Sequence, residues 1–118
     1  MRVVCIKLPP AASGEPSSSS PWLKVGAEYE VLEIYGYPGS GVELRLRSED
    51  RGTPALFDSR LFATSEDGMS ADWVAHIEPD GMVQIGPPEW MASGFWESFF
   101  DGEPVAVRAY EDRLKARP

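Results

Sequence analysis

The chain has 118 residues, 11 basic and 19 acidic side chains, a formal charge of −8, an apolar share of 42%, one Cys and one His. That length fits one domain with a real core, and no apolar run approaches the ~20 residues of a membrane-spanning helix. The apolar start before Pro9 is too short for a secretory signal, and one cysteine cannot staple a secreted mini-domain, so a cytoplasmic protein is expected.

Residues 2–8 are β-branched and apolar and predict a first strand. Residues 9–21, rich in Pro and Ser, predict a mobile surface loop inside the domain, because a lone preceding strand needs a partner. Residues 28–35 alternate in part and predict a second strand. After the Gly/Pro turn at 36–41, residues 42–48 alternate cleanly. Val42, Leu44 and Leu46 take one face, and Glu43, Arg45 and Arg47 take a face expected to be solvated. A turn at 48–52 and a strand over 55–62, ending in a helical turn, follow. Residues 73–78 and 82–85 flank Pro79-Asp80-Gly81 and predict a hairpin.

From Pro87 the spacing turns helical. Pro87-Pro88 suits a helix start, and Gly94 interrupts the segment. Phe95 with Phe99, and Trp96 with Phe100, lie on adjacent stripes of one short helix. Asp101 is expected to cap a final helix carrying Pro104 in its first turn. Ala106, Tyr110 and Leu114 share a face of that helix. A strand over 104–110 is the rival reading, and the charged run at 111–117 favours helix. The expected fold is α+β and mostly β: a small antiparallel barrel or curled sheet over 2–86, then two short C-terminal helices over 87–117.

Val3-Val4-Cys5-Ile6 followed by Leu23-x-x-Gly26-x-x-Tyr29-x-Val31-Leu32 resembles the opening of small, mostly uncharacterised bacterial and phage proteins with an SH3-like barrel. Asp50-Arg51-Gly52 and Phe57 or Phe62 are similar to the turn and closing aromatic of that family. The likeness spans residues 2–62 only. It departs in the long Ser/Pro loop and in Ala27, where a Lys is common. It implies a fold and no settled activity.

Charge is uneven. Residues 61–107 contain nine acids and no Lys or Arg, a surface that repels phosphate backbones. The basic residues Arg108, Arg113, Lys115 and Arg117 suit the end of the last helix, where cations meet the negative dipole end. Catalytic patterns are absent: His76 lies mid-strand without a nucleophile elbow, and Cys5 sits in an apolar strand. One Cys and one His cannot build a zinc shell, and the acids lack calcium-loop spacing, so neither metal nor cofactor is expected.

Trp73, Trp90, Phe95, Trp96, Phe99 and Phe100 all fall among those acids, and large rings both fill cores and anchor interfaces. Glu66, Asp67, Asp72, Trp73, Glu89, Trp90, Trp96, Glu97 and Asp101 are the candidate contact residues for a basic protein partner, such as a nuclease-like toxin blocked by an immunity protein. Three alternatives stay open. One is a single-strand nucleic-acid site built on Arg45, Arg47 and Arg51 near Tyr35 and Tyr37. Another is an enzyme with acids and His76 converging on a deep pocket. The last is a component of a phage-related complex.

Overall fold

The computed structural model describes residues 1–10, 13–14, 20–47 and 54–115. Most of the Ser/Pro loop, the Asp50-Arg51-Gly52 turn and Arg117 lie outside the described residues. Among the described residues, seven strands run in chain order: β1 (Arg2–Cys5), β2 (Glu28–Tyr37), β3 (Gly41–Arg47), β4 (Pro54–Asp58), β5 (Phe62–Glu66), β6 (Val74–Ile77) and β7 (Val83–Gly86). A single 3-10 turn at Ser59–Leu61 joins β4 to β5, and a second covers Pro88–Trp90. Two helices follow among the described residues, α1 (Phe95–Phe100) and α2 (Pro104–Lys115).

The helix reading of 104–110 therefore holds, with Pro104 at the start of α2. Asp101 does not cap it. It ends α1 instead, its N–H donating to the carbonyls of Glu97 and Phe99.

All pairings are antiparallel, in the order β4-β3-β2-β1-β5. β2 has ten residues and β1 only four, so β1 leaves the far end of β2 uncovered. β7 takes that end, pairing Ile34 to Gly36, and β6 pairs outside β7. The sheet branches there and does not close into a barrel.

The entry to β2 explains the Leu-x-x-Gly-x-x-Tyr spacing. Gly26 has φ +89°, a left-handed turn that a Cβ would strain. The turn lets the Gly26 N–H reach the Cys5 carbonyl at 2.8 Å. The Tyr29 hydroxyl accepts the Lys24 N–H at 2.9 Å, and Leu23 is buried.

A bulge in β2 divides the core. Val31 faces Leu46 and Glu33 faces Arg45, so Leu32 has no residue opposite. The extra residue changes the phase of the strand. Tyr29, Val31 and Ile34 pack on one side with Val3, Cys5, Leu44, Leu46, Leu61 and Phe62. Leu32 packs on the other side with Trp90, Phe95, Ala106 and Tyr110. Fully burying a large apolar side chain contributes about 1.5–3 kcal/mol, so both clusters matter to stability.

The face carrying Arg45 was expected to meet water. α1 covers it, and Arg45 is buried. An arginine platform for nucleic acid thus loses a member, Arg45 being spent inside the protein. Among the described residues no helix is long and apolar enough to cross a membrane.

Candidate functional site

Three strands and one helix converge on the carboxylate of Glu33, which has no exposed surface. Its Oε1 accepts from the Tyr35 hydroxyl at 2.6 Å, the Trp96 Nε1 at 2.7 Å and the Arg45 Nε at 3.2 Å. Its Oε2 accepts from the Gln84 Nε2 at 2.9 Å. Burying an ion costs several kcal/mol, and only close partners offset it. Here burial pushes the Glu33 carboxyl up, while the Tyr35, Gln84, Arg45 and Trp96 donors pull it back. Burial and the neighbouring carboxylate also hold the Tyr35 phenol far above its ordinary range. Gly86 makes room for this cluster, since a Cβ there would stand 2.6 Å from Glu33 Cγ.

The cluster forms the floor of an open cleft of about 530 Å³ between the β6–β7 hairpin and α1. Tyr35, Gln84 and His76 stand in one cross-strand row. His76 and Glu78 form one wall, with Nε2 and Oε1 3.1 Å apart. Trp96 and Glu97 form the other. No Lys or Arg among the described residues lines the cleft. It is a polar slot lined by aromatic rings and by two carboxylates, Glu78 and Glu97, chemistry that can receive a cation.

The nine residues expected to form one contact face separate into groups. Trp96 and Glu97 line this cleft, and Asp101 is exposed at the end of α1. Asp72 and Glu89 converge on Arg113. Its Nη2 lies 2.6 Å from an oxygen of each, and its Nε donates to Glu89 at 2.8 Å. That guanidinium holds both carboxyls below their ordinary values, and the pairing offsets one of their two negative charges. Glu66 and Asp67 lie at the end of β5 and beyond it, and Glu66 lines a separate hollow with Met1 and Arg2.

Trp73 is half-buried against the first core. Trp90 is sealed in the second core at 1% exposure, so its ring meets Phe95, Trp96 and Tyr110 in place of a partner. The reason is its position in the 3-10 turn directly below Pro87, pointing at Leu32 and α2.

Sequence reasoning missed Glu33, Glu78 and Gln84 as site residues, and named Tyr35 only beside an arginine platform. One signal for Glu33 existed: Val31-Leu32 breaks the alternation of Glu28, Tyr29 and Glu30, the mark of a bulge. Cys5, by contrast, is buried as expected, its thiol on the Lys7 carbonyl and pushed up by burial. No group of three or more His, Cys, Asp or Glu among the described residues is arranged to hold a metal. Compared with protein-family models, curated proteins and solved structures, the chain matches none.

Proposed function

We propose that this protein is a non-catalytic binding module whose cleft receives a basic side chain of a protein partner. The observation that carries this reading is that Glu78 and Glu97 both line a cleft that no Lys or Arg among the described residues lines. Beside Glu97, α1 ends in exposed Phe100 and Asp101, which extend the same chemistry outward. An immunity-type inhibitor is a concrete form: the basic cleft of a nuclease-like toxin offers the cations this surface accepts, and opposite charge speeds encounter. The strand order β4-β3-β2-β1-β5, with its 3-10 turn before β5, supports an SH3-like core as the scaffold.

Catalysis is the weaker reading. His76 and Glu78 are paired at the rim, but Cys5 lies buried in β1. Titration with a capped arginine-rich peptide, followed by tryptophan emission, tests the proposal. Trp96 in the cleft wall reports occupancy. Saturable binding that weakens from ~20 mM to ~500 mM salt, as the screening length shrinks, is expected. Salt-independent binding, or none, contradicts it.

A further inference from the structure

The strand beside the cleft has an open side. β6 pairs only with β7, and no strand among the described residues covers its other edge. The Glu78 N–H donates to the Met82 carbonyl at 2.9 Å. In an antiparallel ladder hydrogen-bonded pairs alternate, so His76 and Val74 also turn their backbone groups toward β7. Ala75 and Ile77 therefore turn theirs outward, offering two donors and two acceptors. Natural proteins usually blunt such an edge with Lys or Pro. β6 has neither, and Val74 and Ile77 are 41% and 67% exposed.

From this edge we infer that the partner binds as an added strand on β6, an extended segment alternating apolar and basic residues. The inference rests on the cation-receiving reading of the cleft and gives it a backbone frame. A residue placed opposite His76 continues the Tyr35-Gln84-His76 row, and its side chain hangs over the cleft toward Glu78 and Glu97. That position suits Arg or Lys. Its neighbours in the added strand point to the other face, where Ile77 is exposed, and suit Val or Ile. A second copy of this chain fits less well, because β6 and its flanks carry no Lys or Arg to set against Glu78 and Asp80.

The test uses a short capped peptide of alternating valine and arginine, with its valine–glutamate twin as control. Binding of the first alone is expected, with slowed amide exchange at Ala75 and Ile77. Proline at position 77 removes an outward N–H and no bond of the fold, so Ile77→Pro should weaken binding at least ~10-fold. Ile77→Lys, which keeps the backbone intact, should weaken it by setting a like charge beside the basic segment and removing the apolar contact of Ile77. Unchanged affinity in both variants, alongside loss in Glu97→Gln, would overturn strand addition and leave the cleft reading standing. No binding by the wild type would overturn both. Equal binding of the acidic twin would overturn the charge assignment. A dimer in light scattering that Ile77→Pro disperses would give the edge to a second copy and overturn the partner assigned here.

Discussion

The guanidinium of Arg45 lies 4.0 Å from the centre of the Trp96 ring, while its Nε donates to Glu33 at 3.2 Å. One arginine from β3 thus holds the indole of α1 and neutralises the buried acid of β2. The cleft inherits its floor from that arrangement. The Trp96 Nε1 donates to the same carboxylate at 2.7 Å, a second polar tie between α1 and the sheet.

Removing one partner of a buried pair strands the other. Glu33→Ala and Arg45→Ala are each expected to destabilise the protein by about 3–5 kcal/mol, with the double variant costing less than the sum. Urea denaturation of the four proteins measures the coupling. Additive losses would contradict the pairing.

Gly86 admits Glu33 at close quarters. The 2.6 Å approach to Glu33 Cγ leaves no space for a methyl group, and four hydrogen bonds keep that side chain from stepping aside. Gly86→Ala should cost about 1–3 kcal/mol, the usual penalty of overpacking. Calorimetry reads it as a lowered Tm.

Much of the architecture was legible before the structure. The clean alternation of Val42, Leu44 and Leu46 marked β3, Pro79-Asp80-Gly81 marked the β6–β7 hairpin, and Ala106, Tyr110 and Leu114 marked the buried face of α2. The site was less legible, for a physical reason. Arg45 alternates with apolar neighbours as a solvated residue would, and nothing local says that a helix fifty residues later will cover it. Charge counting along the chain failed likewise at Asp72 and Glu89. Their cation, Arg113, comes from the other end of the sequence. His76 looked like a surface histidine, and it is one. Its place on the cleft rim came from strand register alone.

The Arg113 pairs should shape acid stability. Asp72 and Glu89 are held below their ordinary values of 3.8 and 4.5. Their contribution is present above those values and is lost as pH falls through the depressed ones. Glu33 acts oppositely. Its raised carboxyl favours the fold most below 4.5 and less as pH rises through the folded value. Arg113→Gln should therefore lower stability at pH ~6 and flatten its fall below pH ~4. A variant whose acid limb matches the wild type would contradict the assignment.

Tyr110 is buried, and its hydroxyl has no hydrogen-bond partner among the described residues. An unpaired buried hydroxyl costs free energy. Tyr110→Phe is expected to leave stability unchanged or raise it by about 1 kcal/mol. A loss of similar size in thermal unfolding would mean that the hydroxyl is bonded.

Two double variants test the cleft most directly. Glu78→Gln with Glu97→Gln, and Glu66→Gln with Asp67→Asn, each remove two negative charges and leave equal net charge. Affinity for one arginine-rich peptide is measured for both at ~50 mM salt, where screening is weak. The cleft pair should weaken binding about 10-fold, and the β5 pair should change it little. Equal weakening by the two would mean that overall charge, and not this cleft, attracts the peptide.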